Sequence, residues 1–248
     1  MNALLSYTHT FFFSIYPYIC LAVFLLGSLV RFDRDQYTWK SDSSQMLRAG
    51  TLRWGSNLFH IGILFLFFGH FVGLLTPHWL YQHFISAQSK QLVAIYSGGA
   101  AGVVCFTGLS LLVYRRLFDP RIRLTSHRTD IAILLILWIQ LLIGLITLPY
   151  SLAHSDGGVM LLLSDWAQRV LTFRAGGAEG LVGLDWPYKV HLVLGMTIFL
   201  LFPFSRLVHV WSGFATIAFL FRPHQIVRSR KLNLPAETKL THQPGSNV

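Results

Sequence analysis

The chain has 248 residues, of which 53% are hydrophobic and only 12% charged, and its mean hydropathy is +0.52. A soluble domain of this length needs more charge to cover its surface, so the composition indicates an integral membrane protein. The formal net charge of +10 does not indicate nucleic-acid binding, because the basic residues lie in short segments between apolar runs and form no basic stripe with interleaved aromatic residues.

Five apolar segments are long enough to cross a bilayer, which takes about 20 residues of helix. In chain order they are residues 11–30, 58–75, 92–113, 131–148 and 190–210. The first lacks the basic start of a signal peptide, so we expect it to be retained. The apolar character of the last continues to about Phe221, whereas residues 223–248 lack apolar periodicity and are predicted to be disordered. The sequence therefore predicts an all-α membrane protein with one five-helix domain, residues 1–222, and a tail.

The positions of Lys and Arg predict the orientation of the bundle. Three segments are rich in basic residues: Arg31, Arg34, Lys40, Arg48 and Arg53 after the first span; Arg115, Arg116, Arg121, Arg123 and Arg128 after the third; Arg222, Arg228, Arg230, Lys231 and Lys239 after the fifth. The two intervening loops carry only Lys90, Arg169, Arg174 and Lys189. By the positive-inside rule the three basic segments are cytoplasmic, which places the N-terminus outside and the C-terminus inside.

Four of the eleven histidines lie inside the predicted spans: His60 and His70 in the second, His191 and His209 in the fifth. Ionisable side chains are costly in hydrocarbon, so two pairs on two helices require a reason. Structural hydrogen bonding between helices is one alternative, but the two-and-two distribution favours metal ligation. The second span runs outward and the fifth inward, so matching their depths gives an outer pair, His70 with His191, and an inner pair, His60 with His209.

The spacings along the two helices differ. At about 1.5 Å per residue, His60 and His70 are about 15 Å apart, whereas His191 and His209 are about 27 Å apart. Helix tilt or a kink at Pro203 would absorb the difference. Imidazoles without cysteine or carboxylate partners suit haem iron, and no CxxCH motif for covalent attachment occurs, so two non-covalent b-type haems are predicted. Asp and Glu are absent from the predicted spans, which argues against a carboxylate-based proton or ion carrier.

At these residues the sequence closely resembles the gamma subunit family of respiratory nitrate reductase, a membrane cytochrome b. The similarity extends to about residue 222, is weaker over 151–189, and includes all four intramembrane histidines. The matching stretches are FFFSIYPYI at 11–19, QYTWKSDSSQML at 36–47, SNLFHIGIL at 56–64, GHFVGLLTPHW at 69–79, RRLFDPRIR at 115–123 and HLVLGMTIFLLFPFSRLVHVWS at 191–212.

The resemblance implies a quinol-oxidising subunit in the inner membrane of a bacterium, working in anaerobic nitrate respiration. It implies two cytoplasmic partners, an iron–sulfur subunit that receives electrons and a molybdenum subunit that reduces nitrate to nitrite. It supports the same two histidine pairs, and it places Lys90, with Gly69 and His70, at the quinol pocket. Orientation does not explain the charge of Lys90, and an amine donor can hold a quinol oxygen; an ordinary solvated lysine is the alternative.

Two arginines are candidates for pairing with a propionate of the inner haem. Arg206 lies three residues before His209 and shares its helical face; Arg116 is the other candidate, since an Arg fork suits carboxylates. Basic residues that only set orientation are the alternative.

Two further interpretations of function stay open. One is a cytochrome b that anchors a different respiratory oxidoreductase, of the sulfur or heterodisulfide type, which the co-purifying subunits would distinguish. The other is a transporter or plain membrane anchor with structural histidines, which an optical spectrum would distinguish.

Overall fold

The computed structural model describes residues 3–35 and 49–212, and within these ranges the chain forms helices and no strands. Five helical stretches are long and apolar enough to cross a membrane: Ala3–Arg34, Gly50–Leu75, Ala87–Phe118, Arg128–Ala153 and Trp186–Phe204. The predicted fold class, a membrane protein of five spanning helices, is confirmed. The predicted continuation of the last span to Phe221, the domain boundary at 222 and the tail lie outside the described residues.

The helices are named here in chain order. They are α1 (Ala3–Thr10), α2 (Tyr16–Arg34), α3 (Ala49–Leu75), α4 (His78–Tyr81), α5 (Ala87–Phe118), α6 (Pro120–Leu124), α7 (Arg128–Ala153), α8 (Gly158–Leu171) and α9 (Trp186–Leu201). A π-helical turn, Phe11–Ile15, joins α1 to α2 into one span. The capping residues Ser86 and Asp119 begin α5 and α6, each accepting a backbone N–H in the first turn.

Neighbouring spans pack in the order α3, α5, α7, α9, α2. The closest approach is between α3 and α5, and glycines make it possible. A Cβ on Gly62 would lie 2.5 Å from Cys105 Cβ, and a Cβ on Gly108 would overlap the backbone nitrogen of Phe59. Small residues at such positions are typical of packed membrane helices. The helices that carry His60, His70 and His191, α3 and α9, each pack against other spans: α3 against α5, and α9 against α7 and α2.

The segment from 151 to 189, for which sequence analysis predicted no elements, is structured. It contains α8, whose buried Trp166, Ala167 and Val170 form a core with residues of α9 and of the π-helical turn. The indole Nε1 of Trp166 donates to the Phe13 carbonyl at 2.9 Å. A π-helical turn disturbs the regular helical ladder, so this bond from another helix supports the turn.

The fifth span is not one continuous helix, which corrects the expectation of a span over 190–210. Helix α9 ends at Leu201, and two short 3₁₀ turns, Phe202–Phe204 and Arg206–Val208, follow on either side of Ser205. Ser205 is extended, with φ −121° and ψ 175°. The reason is Pro203, which has no N–H to continue the ladder and whose ring clashes with the preceding turn. His209 therefore follows a break and is not on the same straight helix as His191.

Helix α2 holds the broken end of the fifth span. Its Arg31 guanidinium donates to the carbonyl of Pro203 at 2.6 Å and to that of Ser205 at 2.9 Å. Gly27, one turn earlier on α2, leaves room for the proline ring, since a Cβ there would lie 2.9 Å from Pro203 Cγ. Carbonyls released by the break thus receive charged donors, which make the stronger kind of hydrogen bond.

Candidate metal-ligating histidine pairs

The structure brings the intramembrane histidines together in two pairs. In the outer pair the ring centres of His70 and His191 are 6.2 Å apart and the planes differ by 34°. In the inner pair the centres of His60 and His209 are 6.4 Å apart and the planes differ by 70°. An imidazole nitrogen lies about 2 Å from a metal it binds, so two rings on opposite sides of one ion have centres roughly 6 Å apart. Both pairs have the spacing of bis-imidazole ligation.

Three of the four imidazoles are oriented by a backbone carbonyl. The Nδ1 atoms of His60, His70 and His209 donate at 2.7 Å to carbonyl oxygens three or four residues earlier in the chain, those of Ser56, Leu66 and Arg206 respectively. Because a carbonyl only accepts, Nδ1 carries the proton in each ring and Nε2 keeps its lone pair. A metal-bound histidine commonly donates its other N–H to a carbonyl, which fixes the tautomer and ring orientation.

The fourth imidazole, that of His191, lies against α7 instead. Its Cε1 is 2.9 Å from the point where a Cβ on Gly144 would lie, so only glycine leaves space for the ring. The side-chain Nε2 of Gln140 donates to the His191 carbonyl at 3.1 Å and lies 3.3 Å from the ring Nε2. Sequence analysis did not single out Gln140, although a glutamine within the apolar run ILLILWIQLLIGLITL was a signal.

The donor set fits haem better than a bare metal ion. Among residues 3–35 and 49–212, no group of three or more His, Cys, Asp or Glu side chains is placed to hold one ion. A haem macrocycle supplies the equatorial ligands itself and takes its axial ligands from the protein. Two facing imidazoles are therefore sufficient for a haem, whereas a zinc site usually takes three or four protein ligands.

The two candidate propionate partners meet at one carboxylate. Arg116 and Arg206 each place a guanidinium nitrogen near Asp130 Oδ2, at 3.9 Å and 4.0 Å, and Arg116 also donates to the Ser126 hydroxyl at 2.7 Å. Asp130 is buried in the first turn of α7, which begins before residue 131. The predicted span 131–148 has no carboxylate, but the helix begins three residues earlier and so includes Asp130. The two guanidinium groups therefore lie close together, next to the start of α7.

Lys90 lies in the first turn of α5. Its Nζ is buried, has no hydrogen-bond partner among the described residues, and lies 3.8 Å above the centre of the Tyr81 ring. The Tyr81 hydroxyl is also buried without a partner, and burial raises its pKa. Gly69 has open space where a Cβ would lie. The structure thus places Lys90 with Tyr81, a residue that sequence analysis missed, and Gly69 beside His70 on α3.

Comparison with known proteins identifies the family. The model of the nitrate reductase gamma subunit family matches residues 9–230. The chain is 51% identical to the respiratory nitrate reductase 1 gamma chain of Escherichia coli, over 91% of this chain and 100% of that one, and 53% identical to the respiratory nitrate reductase 2 gamma chain, over 92% and 100%. It is 36% identical to the nitrate reductase gamma chain of Bacillus subtilis, over 87% and 96%. The resemblance found in the sequence is confirmed, and the chain belongs to the nitrate reductase gamma subunit family, as a multi-pass membrane subunit of a bacterial oxidoreductase complex.

Proposed function

We propose that this chain is the quinol-oxidising dihaem cytochrome b of a respiratory nitrate reductase. The observation that carries the proposal is the geometry of the two histidine pairs, with ring centres 6.2 Å and 6.4 Å apart. Each pair joins α3 to the fifth span, and the two pairs lie at different depths because His60 and His70 are about 15 Å apart along α3 at 1.5 Å per residue. Two b-type haems bound there would supply one-electron carriers at two levels of the membrane.

The charge distribution supports an orientation with the inner pair on the cytoplasmic side. A quinol that is oxidised near the outer pair gives up two protons and two electrons and becomes a quinone. The protons leave on the outer side, while the electrons cross to the cytoplasmic side. Charge is then separated across the membrane by the topology of the chain alone, without a proton channel.

Lys90 is proposed to hold a quinol oxygen, together with Gly69 and His70. Its buried amine without a hydrogen-bond partner supports this role, since a buried polar group normally has one. A cationic donor favours the form of a quinol oxygen that has lost its proton. The Tyr81 ring stacks against the amine at 3.8 Å, and a cation–π contact of this kind restrains the amine.

Arg116 and Arg206 are proposed to bind a propionate of the inner haem. Their shared contact with Asp130 supports this, because it holds the two guanidinium groups next to each other and an Arg fork suits a carboxylate. The partners on the cytoplasmic face are proposed to be an iron–sulfur subunit and a molybdenum catalytic subunit. There nitrate takes two electrons and two protons and becomes nitrite and water, which balances the oxidation of one quinol.

The haem content of the purified complex tests the proposal. We expect two non-covalent b-type haems per chain by pyridine haemochrome analysis. Replacing His70 or His191 by alanine should remove one haem, and replacing His60 or His209 should remove the other. A wild-type protein with one haem or none contradicts the proposal, and so does loss of the same haem from the His60 and His191 variants.

The quinol pocket has a separate test. Lys90→Ala should slow haem reduction by quinol while both haems remain bound. The matched control is Lys189→Ala, which removes a lysine from the other predicted outer loop, where its amine donates to the Val182 carbonyl at 2.8 Å. Haem reduction in Lys189→Ala should proceed at the wild-type rate. If Lys90→Ala also reduces its haems at that rate, Lys90 is not part of the pocket.

A further inference from the structure

His191 differs from the other three histidines in the partner of its Nδ1 atom. The Nδ1 atoms of the other three donate to backbone carbonyls, whereas His191 Nδ1 is buried and has no hydrogen-bond partner within residues 3–35 and 49–212. Its neighbour Gln140 lacks a partner of the opposite kind. The Oε1 atom of Gln140, an acceptor, is buried and receives no hydrogen bond from the described residues. An unpaired donor and an unpaired acceptor therefore lie on two side chains that are already in contact.

The packing of α7 against α9 directs Gln140 at His191. On α7, Gln140 and Gly144 are one turn apart, and on α9 so are His191 and Gly195. A Cβ on Gly195 would lie 3.2 Å from Gln140 Nε2, so this glycine admits the amide, just as Gly144 admits the imidazole. The result is a socket for the ring, made of one polar side chain and two glycines.

Gln140 lies within the membrane-spanning helix α7, so its hydrogen bonds indicate why a polar side chain is placed there. A glutamine in the middle of an apolar helix is costly, and interhelical hydrogen bonds are the usual compensation. Here the amide makes one such bond, to the His191 carbonyl at 3.1 Å, and its oxygen makes none. The amide nitrogen also lies 3.3 Å from the ring Nε2. Because a metal bound to Nε2 would replace this contact, the amide oxygen, and not its nitrogen, is the group left to interact with the imidazole.

We propose that Gln140 is the positioning residue of His191, its Oε1 accepting a hydrogen bond from Nδ1–H and so orienting the imidazole when Nε2 binds metal. It then does for His191 what backbone carbonyls do for the other three histidines. The inference rests on the proposed ligation of haem by His191. It assigns the orientation of this imidazole to α7, a helix that carries none of the four histidines. An acceptor on Nδ1 makes the imidazole a more basic ligand, which stabilises the oxidised iron and lowers the midpoint potential.

The test is a potentiometric titration of both haems in the full complex. Gln140→Leu keeps the approximate volume and removes the acceptor, so the outer haem should titrate at a higher potential. The loss of one hydrogen bond corresponds to roughly a two- to tenfold change in the ratio of reduced to oxidised haem, or about 20–60 mV at 59 mV per tenfold. Gln140→Glu supplies a stronger acceptor and should shift the potential in the opposite direction. The inner haem should not move in either variant.

Ser110→Ala is the matched control. It removes another hydrogen bond of α7, from Trp138 Nε1 to the Ser110 hydroxyl at 2.9 Å, and does not touch His191. It should leave both potentials unchanged. Selective loss of the outer haem from Gln140→Leu also supports the role, whereas loss of both haems, or an unchanged outer potential, overturns it. A wild-type complex without the outer haem would instead contradict the proposed function.

Discussion

Gly62→Ala should separate α3 from α5 and disturb both histidine pairs. The added Cβ would lie 2.5 Å from Cys105 Cβ, 2.7 Å from its Cα and 2.8 Å from its backbone nitrogen, whereas carbon atoms in contact prefer about 3.5–4.0 Å. These atoms belong to the backbone or its first carbon, so no side-chain rotation relieves the overlap. The helices must move apart by about 1 Å, and overpacking of this kind costs about 1–3 kcal/mol.

The expected effect is a lower melting temperature and a lower haem content. At about 2–4 °C per kcal/mol for a chain of this size, the melting temperature should fall by roughly 2–12 °C. His60 lies two residues before Gly62 on α3, so displacement of this helix changes the distance between each pair of rings. The assay is thermal melting of the purified complex followed by haem absorbance, together with the ratio of haem to protein.

Gly73→Ala is the control, because it makes the same substitution on the same helix where no atom lies within 4 Å of the new Cβ. Any gain in helix propensity from alanine is common to the two variants. If Gly62→Ala melts at the same temperature as Gly73→Ala and keeps two haems, the close approach of α3 to α5 does not position the histidines.

Three further predictions concern contacts that support the histidine pairs. Arg31→Leu removes both hydrogen bonds to the broken end of the fifth span. The inner haem should then be lost or change its electron paramagnetic resonance signal, while the signal of the outer haem stays the same. An equal change in both haems would contradict this. Asp130→Asn removes a negative charge beside Arg116 and Arg206, so the inner-haem potential should rise in a redox titration, and a fall would refute the assignment. Trp166→Phe leaves the Phe13 carbonyl without its donor, which should cost about 1–3 kcal/mol and lower the melting temperature, with both haem potentials unchanged.

The sequence was sufficient to predict the spans because hydropathy and length depend on local composition alone. It also predicts which rings are neighbours, since pairing by depth needs only the direction of each span. The ligand role of those histidines stays a prediction. The orientation of the bundle also stays one, because it depends on the membrane and not on packing within the chain.

What sequence analysis missed depends on contacts between distant segments. Sequence analysis named a kink at Pro203, and the structure has the break there. The direction of the chain after the break could not be predicted, because it depends on hydrogen bonds from Arg31 of α2 to the Pro203 and Ser205 carbonyls. The role of Gln140 shows only when α7 and α9 are packed. Helix α8 was missed because its 14 residues are too few to span a membrane, and its packing against α3 and α5 shows only in the folded chain.

The two pairs are supported by different parts of the fold. His191 lies within a regular helix, and its surroundings come from Gln140 and Gly144 on α7. His209 follows a break, and its surroundings come from Arg31 on α2 and from Arg206, whose carbonyl accepts from the imidazole while its guanidinium approaches Asp130. Because these two sets of contacts share no residue, one mutation in each set should act additively on the two potentials, as sites more than about 7–10 Å apart usually do. A double variant of Gln140→Leu with Asp130→Asn should therefore show both single shifts unchanged. An outer-haem shift that depends on Asp130 would mean that the two pairs are coupled through α7, the helix on which both residues lie.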